Sequence, residues 1–220
     1  MVSFIKRVLL GEAAFVDKVE PGQYPFLVTG CARSGTHFLT KFLQLNGLDI
    51  GHEVTAPLGT VGWLCASGQY REERQAQFGK TAHLIRHPAH VLKSLQTMNP
   101  RAWNYIFQYK PECRHDDLVI AGARYWLEWN KMAAAQSELS VRLEDFTTKR
   151  DKTVRDLAIF FGRGLNPNLV EEAQAHGDSR KGRRDYGHGA GLLHVQQNDP
   201  ATYEGLKVLA ETFGYSLQAE

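Results

Sequence analysis

The chain has 220 residues, 43% of them hydrophobic and 23% charged, and a formal net charge of +2. That length suits a single domain, residues 1–220, with a substantial core. The near-neutral charge excludes a protein that binds nucleic acid through its overall field. Cys31, Cys65 and Cys113 are too scattered for a disulfide framework or a zinc pattern and point to a reducing compartment, taken here as the cytoplasm.

Met1 to Lys18 lacks the long apolar stretch of a secretory signal or membrane span, so no membrane association is expected. Within it, Phe4 to Val16 is amphipathic and reads as a short strand or helix at a sheet edge. Pro21-Gly22 turns the chain into a buried strand over 24–29. Gly30 to Gly35 is a small-residue loop with one charge, Arg33. From Thr36 the apolar residues recur at helical spacing until Asn46-Gly47, a helix stop. Leu48 to Gly51 reads as a second strand, with His52 and Glu53 at its carboxyl end.

Residues 54–80 read as a loop followed by a polar helix, and Ala82 to Ile85 as the next buried strand. Pro88 suits the first turn of a helix running to about Thr97, which Asn99-Pro100 breaks. Residues 101–115 read as irregular and aromatic: either a lid facing substrate or a loop packing its own rings. A long helix follows over Asp116 to Gln136, then a strand over Leu139 to Leu143. Shorter helices are expected at Lys152 to Phe161 and Pro167 to Ala175, a basic loop over 177–191, and a closing helix over Pro200 to Phe213. Four strands can be named, with room for a fifth near the N-terminus. Strands alternating with helices predict an α/β fold, with helices on both faces of a central, mainly parallel sheet.

The strand–loop–helix unit at 24–45 aims backbone N–H groups and the positive end of a helix at one spot, the geometry of an anion cradle. Gly30 and Gly35 have the separation of a Walker A motif, yet Thr36-His37 replaces its Lys-Ser/Thr. The cation has moved inside the loop, to Arg33. Such a loop suits a single phosphate-like group, held by Arg33, Ser34, Thr36, His37 and loop amides. A second anion grip is available at the next strand: Arg86 ends it, and Ser94 lies in the following helix. The bland readings are a strand–helix turn whose glycines serve packing, and a solvent-facing serine.

Taken in order, these stretches resemble the sulfotransferases that use 3′-phosphoadenosine-5′-phosphosulfate (PAPS). Arg33-Ser34-Gly35-Thr36-His37-Phe38-Leu39 looks like that family's 5′-phosphosulfate loop, usually Arg/Lys-Ser-Gly-Thr-Thr before apolar residues. Arg86-His87-Pro88 with Ser94 is similar to its 3′-phosphate motif. Val141 to Phe146 resembles its Tyr-Glu-Asp-Leu strand end, and Arg180-Lys181-Gly182 the loop that closes over the 3′-phosphate. His37 stands in place of the second threonine, and Leu143 in place of the frequent tyrosine.

The resemblance implies a three-layer, P-loop NTPase-like fold of about four or five strands, and a metal-independent, in-line transfer of a sulfuryl group from PAPS to a hydroxyl or amine. It assigns the nucleotide to Arg33, Ser34, Gly35, Thr36, His37, Phe38, Arg86, Ser94, Arg180, Lys181 and Gly182. Two residues compete for the general base, Glu53 and His52, and Glu53 is favoured because the segment resembles the family's glutamate class. His83, His87, His90 and His115 are read as structural, and Glu144-Asp145 as an internal partner for basic or backbone groups near the site. The expected partner is a small-molecule or glycan acceptor, not nucleic acid. The rival readings are a P-loop kinase or nucleotide hydrolase with a degenerate loop, and a non-catalytic anion- or glycan-binding module on the same fold.

Overall fold

A computed structural model describes residues 19–177 and 189–217. The element expected over Phe4 to Val16 and the Arg180-Lys181-Gly182 loop lie outside the described residues.

The described residues build a five-stranded sheet in the order β2-β3-β1-β4-β5, every neighbouring pair parallel. The strands are β1 (Gly22–Thr29), β2 (Gly51–His52), β3 (Gly59–Val61), β4 (Ala76–Ile85) and β5 (Leu139–Arg142). Successive side chains of a strand face opposite ways, and β1 and β4 supply both cores accordingly. Leu27 and Ile85 enter one core, Val28, Ala82 and Leu84 the other.

The second core is closed by α1 (Thr36–Leu45), α7 (Arg150–Phe161) and α8 (Leu169–Gly177), through Phe38, Phe42, Leu43, Leu157 and Val170. The first is closed by α2 (Gly68–Arg74), α3 (Pro88–Leu95), α4 (Pro100–Tyr109), α5 (Leu118–Ala135), α9 (Ala190–Asn198) and α10 (Pro200–Thr212). A short turn of helix, α6 (Asp145–Thr148), follows β5. The architecture is the expected three-layer α/β/α one.

The caps explain most boundaries. Asp117 accepts the Val119 and Ile120 N–H groups at 2.8 and 3.3 Å and starts α5. The His87 ring accepts the Ala89 N–H at 3.2 Å, with Pro88 in the first turn of α3. Gly162, at φ 62°, ends α7.

Four expectations need correction. The fifth strand among the described residues is β3, inside the segment read as a loop. It needs Gly59, at φ 120°, where a Cβ would collide with the Phe26 carbonyl of β1. The polar helix expected in the second part of 54–80 spans only Gly68–Arg74, because Gln75 turns into the left-handed region at φ 53° and the chain enters β4. Residues 100–109 are helical rather than irregular. Asn99 accepts the Arg101 N–H at 2.9 Å, so the Asn-Pro pair read as a break caps the start of a helix. That helix buries Ala102, Trp103 and Ile106, which favours the packing reading of the aromatic segment over a lid. Finally, α9 begins within the stretch read as a basic loop.

One core residue gives the fold a pH signature. His83 of β4 is fully buried, its Nε2 2.9 Å from Asn130 Oδ1 of α5. The Asn130 amide nitrogen donates to the Trp126 carbonyl at 2.8 Å, so Oδ1 accepts and His83 Nε2 carries the proton. Burial lowers the ring's pKa from 6.5 to about 4. The unfolded chain therefore takes up this proton first as pH falls. Stability is at its full value above about pH 6.5 and declines towards pH 4, by about 1.4 kcal/mol per unit or about 3 kcal/mol in total. Urea melts between pH 7 and 4 should show this loss. His83→Gln keeps a donor for Asn130 without a titrating ring and should remove this share of the dependence, leaving that of His52, whose pKa burial also lowers to about 4.

Candidate active site

The carboxyl ends of parallel strands form one rim of the sheet, and the chain after each strand supplies a group there. After β1, Gly30 passes so close to β4 that a Cβ would collide with the Leu84 carbonyl. Arg33 follows at φ 74° and Gly35 at φ 96°. At Gly35 a Cβ would lie 2.6 Å from the Leu143 side chain. The loop is thus pressed between β4 and the end of β5, and α1 starts directly from it.

The loop is held from below by α5. The Ala32 N–H donates to the Tyr125 hydroxyl at 2.7 Å, and Tyr125 is fully buried. Cys31 is buried beside it, accepting from Asn130 at 3.2 Å, and burial raises its thiol pKa well above the ordinary value. A neutral thiol so enclosed is structural rather than nucleophilic. Ser34 is completely buried, and its hydroxyl has no hydrogen-bond partner among the described residues. A buried hydroxyl without a partner is costly, and at the start of a helix it is a ready ligand for an anion.

The second grip is joined to the first. Arg86 Nη1 donates to the Arg33 carbonyl at 3.2 Å, and the Arg86 carbonyl accepts the Trp126 indole N–H at 3.1 Å. Ser94 is buried on α3. Arg33 in turn reaches α3's far end, where Nη2 lies 3.3 Å from the Thr97 carbonyl and 3.2 Å from its hydroxyl.

At the end of β2, His52 Nε2 lies 3.1 Å from Thr36 Oγ1 and 3.8 Å from Glu53 Oε1. The exposed His37 ring packs edge-on against His52, their centroids 5.2 Å apart. Burial, and secondarily the neighbouring His37, lower the His52 pKa to about 4, so this ring is neutral near pH 7. Glu53 is 28% exposed and donates its backbone N–H to the Val61 carbonyl at 3.0 Å. Its φ is 58°. Among the described residues only Arg33, Glu53 and Gln75 combine a side chain with positive φ, and two of these flank the rim. Such backbone conformations persist where the surroundings enforce them, and they gather at functional sites.

The structure therefore gathers Arg33, Ser34, Gly35, Thr36, His37, His52, Glu53, Arg86 and Ser94 along one rim. The Phe38 side chain turns away into the core, against Phe146 at a centroid distance of 4.9 Å. Glu144 accepts the His87 N–H at 3.0 Å and the Tyr215 hydroxyl at 2.6 Å, a structural role matching the reading of that acid as an internal partner. Tyr125 and Thr97 escaped the sequence reading. A tyrosine at a core position of a helix and a threonine just past a helix end carry no local signal of contact with a loop so distant in sequence.

No protein-family model and no curated protein sequence matches the chain. Several solved structures resemble it, and two of them are sulfotransferases. The sulfotransferase domain from the Synechococcus PCC 7002 olefin synthase is 18% identical, with 91% of this chain and 98% of that one covered at a TM-score of 0.49. Mouse sulfotransferase SULT7A1, complexed with PAP, is 12% identical, with 91% of this chain and 88% of that one covered at a TM-score of 0.46. Among the described residues, no helix is long and apolar enough to cross a membrane.

Proposed function

We propose that the protein is a PAPS-dependent sulfotransferase, moving a sulfuryl group to a hydroxyl or amine of a small-molecule or glycan acceptor. The observation that carries the proposal is the joining of two anion grips at one rim. Arg86 donates to the Arg33 carbonyl at 3.2 Å, next to a buried Ser34 hydroxyl that has no partner among the described residues. A buried donor in a glycine-flanked loop, beside Arg33 and tied to Arg86 through the Arg33 carbonyl, fits a nucleotide carrying two separate phosphates.

PAPS, when bound, supplies the sulfuryl group and departs as the bisphosphate. Arg33, the Ser34 hydroxyl and the N-terminus of α1 are the chain's means of stabilising charge on the departing phosphate, as preorganised donors. Arg86 and Ser94 read the 3′-phosphate, with Arg180, Lys181 and Gly182, outside the described residues, as its proposed closers. Glu53 accepts the proton of the attacking group. His52 Nε2 is engaged with the Thr36 hydroxyl 3.1 Å away, so its role in this reading is to orient that hydroxyl, and the base is Glu53. Arg33 supplies the charge that a metal would bring, and the proposal assigns no metal.

The test is transfer of radiolabel from sulfuryl-labelled PAPS to a panel of phenols, sugars and amines with chelator present. Label on an acceptor is the expected result. Label that stays on the donor across every acceptor class counts against the activity.

A further inference from the structure

We propose that Thr97, just beyond the end of α3, positions the Arg33 guanidinium for the nucleotide's phosphate; this rests on the sulfotransferase reading. Arg33 Nη2 is bracketed by two acceptors of one residue, the Thr97 carbonyl at 3.3 Å and its hydroxyl at 3.2 Å. The hydroxyl's own proton is committed, since Thr97 Oγ1 donates to the Ser94 carbonyl at 3.1 Å. Its lone pairs therefore face the arginine, and the pair has one direction only. The carbonyl lies at the negative end of α3, which favours a cation there.

The result is a reciprocal tie between the two grips. The Arg86 side chain holds the main chain of Arg33 at 3.2 Å, and the Arg33 side chain is held by Thr97. Thr97 hangs in turn from Ser94, the hydroxyl residue of the second grip. An arginine is long and rotamer-rich, and it loses that freedom when it clamps an anion. Anchoring Nη2 beforehand removes part of the loss, and a guanidinium has donors on three nitrogens, so the anchor is compatible with a grip by the others. Arg33 itself has a left-handed backbone, φ 74°, and its side chain reaches Thr97.

Calorimetric titration of adenosine 3′,5′-bisphosphate tests the assignment. Thr97→Val removes the hydroxyl, keeps the shape and keeps the carbonyl, and should weaken binding about three- to tenfold. Thr97→Ser should restore it. In an Arg33→Ala background, Thr97→Val should have no further effect, because its action runs through that side chain. Wild-type affinity in Thr97→Val overturns the assignment. So does a loss of the same size in the absence of the Arg33 side chain, which would place the effect in the fold. If the unaltered protein does not bind the bisphosphate at all, the sulfotransferase reading fails and this assignment with it.

Discussion

Glu53→Gln should lower turnover by about 10²- to 10⁴-fold and leave the affinity for adenosine 3′,5′-bisphosphate unchanged. The replacement keeps the size and most of the shape of the side chain but cannot take a proton. Glu53 follows β2 directly, and its backbone is fixed at φ 58° by a bond to the Val61 carbonyl at 3.0 Å. That conformation presents the carboxylate at the rim instead of continuing the strand. Steady-state rates with labelled PAPS, set beside calorimetric binding, separate the two quantities. His52→Asn should cost much less, since its ring Nε2 is engaged with the Thr36 hydroxyl at 3.1 Å. A Glu53→Gln protein with normal turnover would move the base elsewhere.

Arg86→Ala should weaken bisphosphate binding by about 10- to 100-fold, the range of a charge-assisted bond lost to a phosphate. It should weaken adenosine 5′-monophosphate far less, because that ligand has nothing for the second grip. Loop support contributes as well, since Arg86 also holds the Arg33 carbonyl at 3.2 Å. The ratio of the two affinities isolates the direct contact. If both ligands lose affinity equally, Arg86 serves only to brace the loop.

Much of the rim was legible in the sequence because its parts are local. A β-branched run, a glycine loop with one cation and an amphipathic helix can be read from adjacent residues, and so can Arg86-His87-Pro88 at a strand end. What could not be read depends on partners far along the chain. β3 is three residues long, too short to show a period, and exists because β1 and β2 supply its hydrogen bonds on either side. Tyr125 meets the loop amide across a sequence separation of 93, and Thr97 meets Arg33 across 64. The helix at 100–109 was missed for a different reason: Asn99-Pro100 reads as a break, and here it is also a cap.

The measurement closest to the central claim is calorimetry of adenosine 3′,5′-bisphosphate against ATP with magnesium. Two joined grips predict that the bisphosphate binds more tightly and that chelator does not change its affinity. Preference for ATP, dependent on magnesium, would contradict the account and return the loop to the nucleotide kinases and hydrolases.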